Sequence, residues 1–230
     1  MKATLSLPTR LRRAVRPLPE DRLRLAWQAI SLLLEYPSED LLALRSAMSE
    51  AIAPLPALVG DPLRRFLDHL GTRPLRELQE SYVATFDTDR RHCLYLTYFA
   101  HGDTRKRGLA LVQVKQAYRR AGLDPTGEEL PDHLCLVLEF GASADVEGAW
   151  RMLNDHRPGV EMLRIALQEA ASPWADVAVA LCATLPALHG DDADAVQRLI
   201  VQGPPAEDVG LDAYSLDPRL TPPAASGAPS

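Results

Sequence analysis

Asp21-Arg-Leu-Arg-Leu-Ala-Trp-Gln-Ala-Ile-Ser-Leu-Leu-Leu-Glu-Tyr36 places Leu23, Trp27, Ile30 and Leu34 at helical spacing, and Pro37 follows directly. Apolar side chains recurring every three or four residues line one face of an α-helix, whereas a half-buried strand alternates every second residue. The stretch therefore predicts a helix with one buried face. Pro37 ends it, because proline lacks the N–H that the next turn requires.

The same grammar extends outward from this helix. Ser38 is a plausible N-cap for a second helix, with Leu41, Leu44, Met48 and Ile52 on one stripe until Pro54 and Pro56. A third has Pro62 in its first turn, Leu63, Phe66, Leu67 and Leu70 inward, and Gly71 as its C-cap. A fourth opens at Pro74 and carries Leu75, Leu78, Tyr82 and Phe86. Further helices are predicted over about 104–121, closed by Gly122, from Pro131 to Phe140, and over about 145–156, 160–171, 173–188 and 191–202. Their breaks fall at Arg157-Pro-Gly, Ser172-Pro173 and His189-Gly190. Residues 87–102 carry no clean period: Asp87-Thr-Asp-Arg-Arg-His is turn-like, and His101-Gly-Asp reads as a break followed by a cap.

Composition agrees with this reading. The 230 residues include 38 Leu against 13 Val and 4 Ile, and only 6% are aromatic, which argues against a β-sandwich or barrel. The expected fold is all-α, a single antiparallel bundle of roughly eight to ten helices. Residues 1–18 are basic, contain Pro8 and Pro17 and lack a period, so they are expected to form a flexible extension. Residues 203–230 hold six Pro and three Gly and are expected to be a disordered tail, leaving 19–202 as the helical domain.

The net charge of −6 is unevenly spread. Residues 1–26 hold seven Lys/Arg against Glu20 and Asp21, whereas residues 121–200 hold four Arg against fourteen Asp/Glu. An acidic second half suits a basic partner and disfavours nucleic acid outside the N-terminal arm. Three widely spaced cysteines, Cys93, Cys135 and Cys182, fit a reducing compartment, and no apolar run approaches the ~20 residues that span a bilayer. Arg12-Arg13 precedes polar and Pro-rich residues rather than an apolar export segment. The expectation is a cytoplasmic protein without stable membrane insertion.

Catalytic signatures are absent from the sequence: it has no phosphate loop, no G-x-G-x-x-G, no G-x-S-x-G and no H-E-x-x-H. His92, Cys93, His101, His133 and Cys135 form the densest set of metal-ligand types, but none has the tight pairing of a structural zinc site. A metal-dependent enzyme using this set is thus an alternative to a polar pocket or surface histidines. Cys135 and Cys182 lie in apolar helical runs and read as small core residues. Glu128-Glu129 and Asp191-Asp192 stand beside turns or helix starts, where they complement the helix dipole. No catalytic residue, metal or cofactor is assigned.

The stretch from Tyr82 to Phe140 is unusually rich in Arg, Asp, His, Tyr and Gly for a bundle. Asp87, Asp89, Arg90, Arg91, Asp103, Arg105, Lys106 and Arg107 form alternating charges around two loops. They read either as a network fixing loop geometry or as a polar rim beside an apolar groove of Phe86, Leu94, Leu96, Tyr98 and Phe99. Such a groove would accept an amphipathic helix through a few apolar anchors.

In this stretch Tyr82-Val-Ala-Thr-Phe-Asp, Arg90-Arg-His-Cys-Leu-Tyr-Leu-Thr, His101-Gly-Asp-Thr-Arg-Lys-Arg-Gly, Glu129-Leu-Pro-Asp-His-Leu and Leu138-Glu-Phe follow one another in order. With Leu32-Leu-Leu-Glu-Tyr-Pro upstream, the chain resembles, over about residues 25–190, the respiratory nitrate reductase assembly chaperones, also called the delta subunit or NarJ family, within the redox-enzyme maturation chaperones. The resemblance implies a non-enzymatic helical chaperone. Its partner would be the apo catalytic (alpha) subunit of membrane-bound nitrate reductase, recognised through that subunit's N-terminal segment and held competent for molybdenum cofactor insertion and membrane assembly. Cofactor-biosynthesis proteins are further partners on this reading, and the alternative client is another molybdoenzyme.

The residues carried over on matching positions are Tyr82, Phe86, Asp87, His101, Asp103, Arg105, Arg107, Asp132, His133, Leu134, Glu139 and Phe140 as candidate partner contacts. Gly102, Gly108 and Pro131 are carried over as structural loop positions, Asp103 as the cap of the helix after it, and Pro131 as the first turn of its own. Cys93 stands where the family pattern suggests Ser, and Cys135 where it suggests Pro.

Overall fold

Pro19 opens α1 (Glu20–Leu33), and Glu20 and Asp21 in its first turn complement the helix dipole. Leu23, Ala26, Trp27, Ile30 and Leu33 are buried along its inner face. That face lies against α8 (Leu134–Ser143), which is apolar almost throughout and buried accordingly. The two backbones come close because Gly141 has no side chain: a Cβ there would sit 2.5 Å from the Trp27 ring. Across the same contact the Ser31 hydroxyl donates to the Cys135 carbonyl at 2.9 Å, while on another side of the helix the Trp27 indole N–H donates to Thr184 Oγ1 at 3.0 Å.

These coordinates come from a computed structural model and describe residues 16–125, 129–188 and 190–205. The described residues form twelve α-helices and no strand, more helices than the eight to ten expected. Part of the difference is the second predicted helix, which is two: α2 (Glu39–Ala43), capped by the Ser38 hydroxyl accepting from Leu41 N–H, and α3 (Arg45–Ile52). At the junction Leu44 has ψ −8°, away from the helical value near −42°, and its side chain is 46% exposed rather than inward.

α4 (Ala57–Gly71) starts at Pro56, so Pro62 lies inside the helix and not in its first turn. Gly71 is its last helical residue, and the αR residue Thr72 follows as the cap. The want of a side chain at Gly71 makes room for the Arg45 guanidinium. α5 (Leu75–Phe86) begins after Pro74 as expected.

Beyond α5 the chain makes a 3₁₀ turn (Arg90–His92), an extended link, and then α6 (Leu96–His101) and α7 (Arg105–Arg120). Gly122, at φ +80°, donates its N–H to the Arg119 carbonyl and closes α7. α9 (Val146–Asp155) is capped by Asp145, whose carboxylate accepts from Gly148 N–H at 2.9 Å. α10 (Arg157–Glu169) starts at Arg157-Pro158, where a break was expected. Proline is at home in a first turn, and the buried Arg157 side chain reaches the Pro186 carbonyl and Glu161. α11 (Ala175–Ala183) and α12 (Asp191–Gln202) complete the order.

The core lies where α1, α4, α8, α10 and α11 meet, around Trp27, Trp174 and Phe66. Burying each large apolar side chain there contributes roughly 1.5–3 kcal/mol. Residues 1–15 and 206–230, most of the two expected tails, lie outside the described residues. No helix among the described residues is long and apolar enough to cross a membrane.

Candidate functional site

Two distant segments pair to build the site. Tyr95 and His133 form an isolated antiparallel bridge: Leu96 N–H donates to the Asp132 carbonyl at 3.0 Å, and Leu134 N–H to the Leu94 carbonyl at 2.7 Å. The pairing occupies residues 132–133, so α8 begins at Leu134, after His133 as its cap, and Pro131 stands in the loop ahead of it. The Pro131 carbonyl instead accepts from the Tyr118 hydroxyl at 3.1 Å.

Beneath the bridge, Asp132 is wholly buried. Its carboxylate accepts from Thr97 N–H at 3.1 Å and from the Thr97 hydroxyl at 2.5 Å. Arg107 donates from Nε to Thr97 Oγ1 at 3.2 Å, and its Nη2 stands 3.8 Å from Asp132. The guanidinium lies over the Tyr95 and Tyr98 rings, 5.3 and 5.8 Å from their centroids, a cation–π arrangement. Asp103 does not cap α7; it pairs with Arg107 at 3.3 Å, and Thr104 is the cap residue.

Above this network opens a cleft of about 520 Å³, between the end of α5, the link 93–98, the start of α7 and the loop 129–133. Tyr82, Phe86 and Leu94 give it an apolar floor, and Asp87, Asp89, Asp103 and Glu129 stand on its rim with Arg90 and Arg107. Tyr82 and Phe86 themselves meet the buried Trp174 edge to face, each 5.5 Å from it between ring centroids, and Tyr36 closes on Tyr82 at 5.4 Å. The Tyr82 hydroxyl donates to the Leu34 carbonyl, and burial pushes its pKa well up, so it remains a neutral donor. Burial also favours the protonated form of Glu129, but the Tyr95 hydroxyl at 2.7 Å and Leu130 N–H outweigh it and hold the pKa down. Burial keeps His133 neutral by lowering its pKa, and its ring meets Tyr95 edge-on at 5.2 Å.

Of the residues read from the sequence, Tyr82, Phe86, Asp87, Asp103, Arg107 and His133 converge on this cleft. Leu134 and Phe140 are core, with Phe140 packed on Tyr118 at 4.5 Å. Asp132 is too deeply buried to touch a partner. Glu139 is on the outer face of α8, and Arg105 is exposed at the start of α7, away from the cleft lining. His101 lines a separate cavity of about 310 Å³ with His156, Asp145 and Arg151.

Gly102 does occupy a tight turn, at φ +57°, and residue 205 passes directly over it, leaving no room for a Cβ. Gly108 is on the exposed side of α7 with open space around it, neither in a loop nor at a helix contact. The expected groove also divides. Leu94, Tyr98 and Phe86 face the cleft, whereas Leu96 and Phe99 line an apolar cavity of about 290 Å³ under α10 and α12.

Tyr95, Thr97 and Glu129 are central to this geometry. The sequence motifs contain all three but gave Tyr95 and Thr97 no role, and Glu129, expected to complement a helix dipole, instead accepts from the Tyr95 hydroxyl in the loop ahead of α8. The His/Cys set does not gather: among the described residues no three His, Cys, Asp or Glu side chains are placed to hold a metal ion. Cys135 is buried with its pKa pushed up by that burial, and burial pushes Cys182 up to about 12, so neither is a poised thiolate.

A family model described as the nitrate reductase delta subunit matches residues 52–180, an interval that contains the whole cleft. The chain belongs to the nitrate reductase delta subunit family. Its relatives include the nitrate reductase-like protein NarX of Mycobacterium tuberculosis (strain ATCC 25618 / H37Rv), 38% identical over 158 residues that cover 69% of this chain and 24% of NarX. The probable nitrate reductase molybdenum cofactor assembly chaperone NarJ of Bacillus subtilis (strain 168) is 32% identical over 166 residues, 70% of this chain and 89% of NarJ. The chain thus spans about a quarter of the length of NarX and most of that of NarJ. A putative redox enzyme maturation protein from Archaeoglobus fulgidus shares the fold, with a TM-score of 0.52 at 23% identity over 75% of this chain and 97% of its own. α1 and α12 lie outside the interval matched by the delta subunit family model, whereas α5, α6, α7 and the loop 129–133, which build the cleft, lie inside it.

Proposed function

We propose that this delta subunit family member is a nitrate reductase molybdenum cofactor assembly chaperone, and that it holds the N-terminal segment of the apo catalytic subunit in the cleft above the Tyr95–His133 bridge. The activity is that of a chaperone, not of a catalyst. The relatives named as molybdenum cofactor assembly chaperones support the client. The observation that carries the binding mode is an aromatic floor, Tyr82 and Phe86, under a rim of four carboxylates, Asp87, Asp89, Asp103 and Glu129.

An amphipathic helix with basic residues beside its apolar face complements such a cleft. Each fully buried anchor contributes roughly 1.5–3 kcal/mol, and three or four after ordering costs correspond to about micromolar affinity. Tyr82, Phe86, Asp87, Asp103, Arg107 and His133 are the contacts on this reading, within a chaperone domain of residues 19–202 in the cytoplasm. Asp132, Thr97 and Tyr95 support them from below.

Titration calorimetry with a synthetic N-terminal peptide of the cognate catalytic subunit tests the reading. Saturable heat whose affinity Phe86→Ala weakens about ten-fold or more supports it; no heat and no competition at high micromolar peptide contradict it. Copurification identifies the client: a catalytic subunit of a different molybdoenzyme recovered with the chain replaces nitrate reductase in the proposal.

A further inference from the structure

α7 presents a second, outward surface that the client cleft does not use. Its inward side is Ala110, Val114 and Tyr118. The opposite side is a ridge centred on Leu109 and Val112, 71% and 51% exposed and one turn apart. Lys106, Lys115 and Arg120 are exposed around that crest, with Arg105 and Arg119 at the two ends. No Asp or Glu occurs anywhere in the 16-residue helix, which at 1.5 Å per residue is about 24 Å long. Asp103 and Asp124 flank it, and each is held by an arginine, Arg107 and Arg119. Residues 121–200, by contrast, carry fourteen acids against four arginines, so α7 is the basic stretch ahead of an acidic second half of the chain.

We infer that α7 docks this chain, peripherally and reversibly, on an anionic lipid surface. A membrane interface is the partner with both properties the ridge requires: a negative plane for the cations and an apolar layer for the crest between them. The long stems of Lys106, Lys115 and Arg120 can lie along that layer while their charges remain at the headgroups. A nucleic acid would satisfy the cations but leave Leu109 and Val112 against water, and the ridge offers no aromatic ring for a base to stack on.

The test is flotation of the full chain with vesicles of phosphatidylcholine alone and of phosphatidylcholine mixed equally with phosphatidylglycerol. The chain is expected to float with the mixed vesicles only, and to be released by high salt. Lys106→Gln, Lys115→Gln and Arg120→Gln together should weaken partitioning about a hundred-fold, at roughly five-fold per cation. Leu109→Gln with Val112→Gln should weaken it about ten-fold or more. All five positions are exposed, so unchanged circular dichroism and melting temperature separate lost docking from lost folding. Absence of binding to the mixed vesicles overturns the inference. So does binding that neither variant changes, which would assign it to other cations, or tight binding to duplex DNA that only the charge variant abolishes.

Discussion

Asp132 grips Thr97 twice, accepting from its main-chain N–H and from its hydroxyl, 35 residues away along the chain. The carboxylate thereby pins the first turn of α6 to the loop before α8, and Arg107 is drawn over the pair by its own bond to Thr97. The resemblance to a known family suggested Asp132 as a partner contact; its chemistry is that of a buried clamp.

Removing the clamp leaves Thr97 without its double acceptor and the largely buried Arg107 with only the exposed Asp103 as counter-charge. Asp132→Ala should therefore cost about 3–5 kcal/mol of stability. Asp132→Asn keeps an acceptor for Thr97 and should cost less, about 1–3 kcal/mol. Urea unfolding of the three proteins checks the ranking, and equal midpoints for Asp132→Ala and the parent would refute it.

Gly141 and Gly108 are expected to respond in opposite directions. A methyl group at 141 collides with the Trp27 ring and with Ala149, so Gly141→Ala should destabilise by about 1–3 kcal/mol. Gly108 lies inside a helix with nothing near it, and Gly108→Ala should stabilise by about 0.5–1 kcal/mol. Thermal melts of both variants give the signs. A Gly108→Ala protein that melts higher but loses peptide or vesicle binding would place a partner's backbone against α7.

Acid should weaken the fold through His156. Burial, reinforced by nearby His101, lowers its pKa to about 4, although Asp132 pulls the other way. An unfolded histidine titrates near 6.5, so between those values the unfolded chain binds the additional proton. Stability consequently falls as the pH drops from about 6.5 to about 4, by about 2–3 kcal/mol with partial exposure allowed for. His133 and His69 are shifted downward too and act in the same sense. Unfolding free energies at several pH values, for the parent and for His156→Gln, should show a shallower slope in the variant.

Rim charge and floor should separate in binding experiments. Asp87→Lys with Asp103→Lys is expected to slow association of a basic client peptide and to flatten its salt dependence. Phe86→Ala should instead speed dissociation, with an affinity loss of roughly ten-fold or more. Stopped-flow mixing distinguishes the two, and identical on-rates for the lysine variant would remove the rim from recognition.

How much of this was legible beforehand depended on whether the information was local. The stripe of α1 and the apolar run of α8 declare themselves, because each buries a face against close neighbours and periodicity records burial. Leu44 misleads, since its spacing fits the stripe while a tightened backbone at that residue turns it outward. Pro62 misleads because a proline's preference for the first turn is a tendency, and here Pro56 precedes the helix instead. The charged motifs around 87–107 pointed to the right region. His133 was suggested only through the family resemblance, and that Glu129 joins the cleft was not visible, because the Tyr95–His133 bridge brings together residues 38 positions apart. Charge alone likewise does not say that Asp132 is fully buried while Glu139, seven residues on, faces solvent.

The edge-to-face contact of Tyr82 and Phe86 with Trp174 has a practical corollary. That indole is fully enclosed, directly under the cleft floor, while Trp27 and Trp150 form a separate pair 6.4 Å apart. A guest pressing on the two rings alters the surroundings of one tryptophan out of three. The protein therefore supplies its own optical gauge of occupancy, and its ultraviolet emission can follow loading and release of a client without any attached dye.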